Sequence, residues 1–121
     1  MKILVIDDDA NVSQAMRTIL AQHRHDTILV PRGATGLLAL ALHKFNLVIV
    51  DIFMPGMSGL DTIAQIRKQS SIPIIAASGF RMRHRPEIDY HAGALRHGAT
   101  ACLRKPFTPA QLMATVDKCL A

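Results

Sequence analysis

Four aspartates follow apolar runs that are typical of buried strands, and their grouping could do chemistry. Asp7, Asp8 and Asp9 come directly after one such run, and Asp51 comes after another. Carboxylates a few ångströms apart raise one another's pKa unless a cation joins them. Asp7, Asp8 and Asp51 would therefore form an all-oxygen site of the kind that suits Mg²⁺. Each acid could instead be a solvated loop residue or a helix N-cap, and we interpret Asp9 as an N-cap because it leads into the first predicted helix.

A serine and a lysine stand at the ends of two further runs. Ser78 follows the apolar stretch 72–77, and Lys105 precedes Pro106, which favours an extended lysine whose ammonium projects over the sheet edge. A lone serine more often caps a helix, and a lone lysine is usually solvated. Together with the acids, however, they predict a phosphoryl-transfer site. Mg²⁺ and the lysine would neutralise the phosphoryl oxygens, the hydroxyl would donate to one of them, and an aspartate would be the nucleophile.

The elements that must position these groups alternate along the chain as strand and then helix, five times. The predicted strands are 2–7, 27–30, 47–50, 72–77 and 99–103. The predicted helices begin after Asp9, at 37, at Ser58, at 86 and at Thr108, with Gly33 and Gly36 expected to break the chain before the second of them. The run 37–42 is apolar throughout and fits a strand as well as a helix. Such alternation indicates an α/β fold with a five-stranded parallel sheet covered by helices on both faces, where ligands lie beyond the carboxyl ends of the strands.

Length and composition exclude several other classes of protein. The 121 residues, half of them apolar, predict one domain over 1–121 with a real core and no extended disorder. No apolar run is long enough to insert in a membrane, and the early acids argue against a signal peptide, so we expect a cytoplasmic protein. Two cysteines without a CxxC pattern predict buried free thiols. The net charge of +5 permits contacts with an acidic protein or nucleic acid without requiring either.

The motifs resemble those of the receiver domains of bacterial response regulators, a family that includes stand-alone chemotaxis-type regulators. A DxxMPxMxG pattern beside a KPF is far more specific as a pair than either is alone. The resemblance covers essentially the whole chain, and its matching segments are ILVIDDD at 3–9, LVIVDIFMPGMSGLD at 47–61, IIAASG at 74–79 and GATACLRKPF at 98–107.

This resemblance implies a (βα)5 flavodoxin-like receiver fold in which Asp51 is the phosphoacceptor. Asp8 would hold Mg²⁺ directly, Asp7 would hold it through water, and the backbone carbonyl of Phe53 would be a further ligand. The donor would be a phosphohistidine on a sensor histidine kinase or a phosphotransfer protein. The domain would catalyse only its own phosphorylation and dephosphorylation and would not be an enzyme acting on a second substrate.

The switch residues implied by the resemblance depart from the family's usual pattern. Ser78 would carry the switch hydroxyl, and Lys105 would pair with the phosphoryl group. The family usually has Tyr or Phe three residues before this lysine, whereas this chain has Cys102. A thiol cannot sweep the volume of an aromatic ring, so the transmission of the signal is expected to differ.

The partner-binding face would be formed by the fourth helix, the fifth strand and the fifth helix. The stretch between the serine and the lysine is longer than is typical of the family and carries Arg81, Arg83 and Arg85, with Arg96 on the next helix. These residues form either a solvated basic loop or a docking surface for a downstream protein, with nucleic acid possible but not favoured. The oligomeric state would be a monomer or a phosphorylation-dependent dimer.

Two other functions fit parts of the pattern. An aspartyl-phosphate phosphatase usually has a second aspartate two residues after its nucleophile, where this chain has Phe53. A degenerate receiver would bind protein or DNA constitutively, but Asp51, the acidic pair and Lys105 are all intact. The cognate kinase, the output and whether the domain stands alone are left open.

Overall fold

The computed structural model of the chain describes residues 1–54, 56–79 and 90–121. The strands are β1 (Lys2–Ile6), β2 (Asp26–Val30), β3 (Leu47–Asp51), β4 (Ile74–Ser78) and β5 (Ala101–Arg104). The helices are α1 (Ala10–Gln22), α2 (Gly33–Leu42), α3 (Gly59–Arg67), α4 (Tyr90–His97) and α5 (Pro109–Leu120). The five strands form one parallel sheet in the order β2-β1-β3-β4-β5, which confirms the predicted fold class.

Alternate residues along the central strands enter two separate cores, one on each face of the sheet. Leu4 and Val48 face the core that α2, α3 and α4 cover, whereas Ile3 and Leu47 face the core under α1 and α5. This is the two-residue period of a strand, and all four side chains are fully buried. Burial of an aliphatic side chain of this size stabilises the fold by roughly 1.5–3 kcal/mol. The two cores therefore fix the register of the sheet, and with it the positions of the residues at the strand ends.

The predicted helix starts are confirmed where capping chemistry marks them. The Asp9 carboxylate accepts hydrogen bonds from the amides of residues 11 and 12 at the start of α1, and the Ser58 hydroxyl accepts one from the Asp61 amide at the start of α3. Thr108 and Gln111 form a reciprocal capping box before α5.

The predicted helix over 37–42 is confirmed, but its predicted start was wrong, since α2 begins at Gly33 and contains both glycines that were expected to break the chain. Both are buried in close contacts. A Cβ atom on Gly33 would overlap the Thr62 hydroxyl, and one on Gly36 would overlap the Ile6 side chain. These glycines therefore mark a close approach of α2 to the sheet and to α3. A single sequence cannot distinguish this use of glycine from chain breaking.

Two strand boundaries also differ from the prediction. β4 begins at Ile74 because the residue before it, Pro73, has no amide hydrogen to donate to a ladder. β5 begins at Ala101 because the Ala99 amide donates instead to the Ala94 carbonyl at the end of α4, over 2.9 Å. The predicted start of α4 at residue 86 lies outside the described residues.

The cysteines are free, as predicted, but Cys102 and Cys119 are only half-buried. Within the three described ranges, no helix has the length and apolar character needed to cross a bilayer.

Candidate functional site

The three predicted acidic residues meet at the carboxyl edge of the sheet. β1 and β3 are neighbours in register, with Ile6 opposite Val50, so Asp7 and Asp51 leave the sheet side by side. Oxygen atoms from Asp7, Asp8 and Asp51 all lie within 4.8 Å of one another. Asp7 and Asp51 are buried, whereas Asp8 is exposed. β2 and β3 lie on opposite sides of β1, so the strand order reverses at this point of the sheet. Open α/β sheets bind ligands at such a point, beyond the carboxyl ends of the strands.

Lys105 reaches this cluster from the far side of β4. Its backbone amide donates to the Ser78 carbonyl over 2.6 Å, which fixes the chain just past the end of β5. The side chain then extends to the acids, where Nζ donates to Asp7 Oδ2 at 2.6 Å and lies 3.6 Å from Asp51 Oδ1. Because the Asp7 side chain is almost fully buried, removal of the lysine would leave an uncompensated buried charge.

Burial and the charge of Lys105 shift the pKa of the Asp51 carboxyl in opposite directions. Burial has the largest effect and, with the charge of Asp7, raises its pKa from 3.8 to about 6, although the Lys105 ammonium opposes the rise. The Phe53 amide donates to Asp51 Oδ1 over 3.1 Å, on the oxygen that also faces the lysine. Among the described residues no bond is formed to Oδ2.

The raised pKa gives a test in metal-free buffer. Between pH 3.8 and about 6 the folded state binds more protons than the unfolded state, so the free energy of unfolding falls as pH rises through this window and stays lower above it. Asp51→Asn removes this cost and is expected to raise the free energy of unfolding at neutral pH by about 1–3 kcal/mol. Urea unfolding with a chelator, at roughly pH 4 and pH 7.5, measures both effects. Equal pH dependence of the two proteins would contradict the assignment.

The predicted switch hydroxyl lies next to the acids but makes its bond elsewhere. Ser78 is fully buried at the end of β4, and a hydrogen bond of 2.5 Å joins its Oγ to Nε2 of His91 on α4. Cys102 stands at the position where receiver domains usually have an aromatic residue. Its thiol donates to the backbone carbonyl of His91 at 3.7 Å. This role of His91 could not be predicted from the sequence, because one histidine in a helix carries no signal of a contact with a distant strand.

A cleft of about 510 Å³ opens beside Asp51 and Lys105. Its charged lining consists of these two residues with Asp8 and Asp9, and Phe53 adds an aromatic residue from the loop after β3. Its wall is largely apolar and consists of one side of α1 and the loop before α5, with Val12, Ala15, Ile19, Pro106 and Phe107. The cleft therefore gives access to the Asp51 carboxylate.

The predicted basic surface is only partly within the described residues. Arg81, Arg83 and Arg85 lie outside them. Arg96 lies on α4 and is exposed, beside the exposed Leu95.

The fold and the site together define a class of α/β domain with an acidic cluster at the carboxyl edge of its parallel sheet. The family model described as "Response regulator receiver domain" matches residues 3–117. The chain belongs to this family of receiver domains of two-component response regulators.

The relatives by sequence are longer proteins. The DNA-binding response regulator MtrA of Mycobacterium tuberculosis is 32% identical over 115 residues, which are 95% of this chain and 48% of that protein. A CpxR homolog of Haemophilus influenzae, a transcriptional regulatory protein, is 31% identical over 98% of this chain and 50% of its own length. This chain thus spans about half the length of the curated relatives it matches.

Solved receiver domains share the whole fold. The receiver domain of NtrX from Brucella abortus superposes with a TM-score of 0.88 and 27% identity, over 98% of this chain and 97% of that one. The BeF3-activated receiver domain of RstA from Klebsiella pneumoniae gives a TM-score of 0.86 and 28% identity, over 99% and 98% of the two chains.

Proposed function

We propose that the chain is phosphorylated on Asp51 by a phosphohistidine donor and that the phosphorylated form changes its partner-binding face. The observation that carries this proposal is the Asp51 carboxylate, buried at a strand end within 3.6 Å of the Lys105 ammonium and grouped with two further acids. In the transfer, the bond from phosphorus to the donor imidazole nitrogen breaks and the nitrogen keeps the electron pair. The new bond joins phosphorus to a carboxylate oxygen of Asp51.

The donor set fits Mg²⁺. It consists of hard carboxylate oxygens within 4.8 Å of one another, and burial, together with the charge of Asp7, raises the pKa of Asp51. Asp7, Asp8 and Asp51 would hold the ion, with the Phe53 carbonyl as a predicted further ligand. Mg²⁺, when bound, supplies positive charge to the oxygens of the transferring phosphoryl group. The chain's own contributions are the nucleophile, the Lys105 charge and the Phe53 amide that orients the carboxylate.

The cleft supports a macromolecular donor. Its apolar wall on α1 and the loop before α5 offers a surface for a helix of a sensor histidine kinase or a phosphotransfer protein, and part of its lining is charged. The sequence contains no GxxxxGK[ST] motif for binding a nucleoside triphosphate, in agreement with a protein donor. We place this exchange in the cytoplasm.

The phosphorylated domain would hydrolyse its own acyl phosphate. Phe53 stands where an aspartyl-phosphate phosphatase usually has its second aspartate, so the domain would catalyse its own phosphorylation and dephosphorylation and would not act as an enzyme on another substrate. The output would be a contact with a downstream protein through α4, β5 and α5, as a monomer or a phosphorylation-dependent dimer. A degenerate receiver that binds protein or DNA constitutively is the competing function, and the basic residues of α4 are what favours it.

Intact mass measurement after incubation with acetyl phosphate and Mg²⁺ tests this function. The native chain is expected to gain one phosphoryl group, and Asp51→Asn none. Asp117→Asn, which removes an exposed acid from the last helix, is the matched control and should be phosphorylated normally. A native chain that gains no phosphoryl group would support the degenerate receiver.

A further inference from the structure

His91 joins both switch positions of the domain to the same turn of α4. Its ring is hydrogen-bonded to the Ser78 hydroxyl on β4, and its backbone carbonyl accepts from the Cys102 thiol on β5. These two strands are paired in register, with Ala76 opposite Cys102. The second residue of α4 is therefore attached to the sheet at two neighbouring strands.

The Ser78 hydroxyl can serve only one acceptor with its single proton. β3 and β4 pair with Asp51 opposite Ala77, so the serine lies one residue past the level of the acceptor aspartate. Its hydroxyl is fully buried, and its hydrogen bond is to the ring of His91. A phosphoryl oxygen on the neighbouring carboxylate would compete for the same proton, and a charged acceptor forms the stronger bond.

We propose that His91 is the positioning residue that holds the Ser78 hydroxyl on α4 in the unphosphorylated domain, and that α4 senses phosphorylation through the loss of this bond. The inference rests on the proposed phosphorylation of Asp51. The hydroxyl donates to Nε2 before phosphorylation and turns to a phosphoryl oxygen after it, which breaks the bond between β4 and the imidazole ring. The thiol contact to the His91 carbonyl keeps the backbone of this turn on β5 while the ring is released.

This arrangement gives a physical role to the cysteine at the usual aromatic position. A ring at residue 102 would report the state of the hydroxyl by changing its rotamer. In this chain the partner of the hydroxyl lies on α4 itself, so the signal passes to the helix in one step. Cys102 then holds the backbone of this turn on β5, and the imidazole ring of His91 is the group whose contact changes.

Beryllofluoride, a phosphoryl analogue, tests the competition in the intact chain with Mg²⁺ present. His91→Ala removes the acceptor that the hydroxyl must leave, so we expect beryllofluoride to bind about two- to tenfold more tightly, the range that the net worth of one hydrogen bond allows. The amide NMR shifts that beryllofluoride induces in α4 should shrink in the same variant. His91→Gln retains a side-chain acceptor and should restore native behaviour, and it replaces the alanine variant if that protein does not fold.

Two further variants separate this coupling from a structural effect. In a Ser78→Ala background, His91→Ala should leave the affinity for beryllofluoride unchanged, because the bond is already absent. His97→Ala, on the same helix, removes a ring that donates to the Gly93 carbonyl and should leave affinity at the native value. The proposal is overturned if His91→Ala binds beryllofluoride with native or weaker affinity, or if the native chain binds it without any change in α4. Failure of the native chain to bind the analogue would overturn the proposed phosphorylation itself.

Discussion

Lys105→Met is expected to lower the rate of phosphorylation by acetyl phosphate by about 100-fold or more, the usual effect of removing one preorganised charge from a transition state. Methionine keeps most of the length of the side chain and removes only its charge. In the native site, Nζ lies 3.6 Å from the Asp51 carboxylate, close enough to meet the oxygens of an incoming phosphoryl group. The ammonium also lowers the pKa of Asp51, so its loss would protonate more of the nucleophile near neutral pH.

The neighbouring arginine provides the matched control. Arg104→Met removes one positive charge from an exposed position on β5 and should leave the rate unchanged. Lys105→Arg restores the charge with different geometry and should recover part of the rate. Time courses of intact mass with saturating Mg²⁺ measure all three variants. Native phosphorylation rates in Lys105→Met would exclude the proposed role of the ammonium.

The acidic site could be predicted because its positions follow from simple rules. Each strand of a parallel sheet ends at the same edge, so an apolar run followed by Asp7 and another ending at Asp51 place both carboxylates at that edge, and the pairing of β1 with β3 brings them together. The position of Lys105 could be predicted because Pro106 favours an extended conformation for the residue before it, which directs the ammonium over the sheet edge. The order β2-β1-β3-β4-β5 was not predicted, because pairing between strands depends on contacts between residues far apart in the chain.

Helix packing accounts for what the sequence did not predict. Gly33 and Gly36 look like chain breaks, yet they are places where a helix comes too close to its neighbours for a side chain. His91 looks like an ordinary helical residue, yet its ring lies on the buried end of β4. In each case the deciding contact joins elements that are distant in sequence, and no local pattern encodes it.

Gly59→Ala is expected to lower the free energy of unfolding by about 3 kcal/mol, at the upper end of the cost of overpacking a core. Gly59 is the first residue of α3, and its amide donates to the Ile52 carbonyl over 3.0 Å. A Cβ atom there would overlap the carbonyl oxygen of Asp51 and the Cα of Ile52. These are backbone atoms in and just after the central strand β3, so they can move only if the strand moves with them.

The same displacement would reach the phosphoacceptor, because the overlapping oxygen belongs to Asp51 itself. Thermal unfolding should show a melting temperature lower by roughly 10 °C for a domain of this size, and phosphorylation by acetyl phosphate should slow in the folded fraction. Gly93→Ala is the control, since a Cβ at this helical position meets atoms no closer than 3.9 Å and should stabilise α4 by up to about 1 kcal/mol. A Gly59→Ala variant with native stability would show that β3 and the start of α3 can separate without cost. The distance between Asp51 and α3 would then have to be maintained by the loop between them and not by this backbone contact.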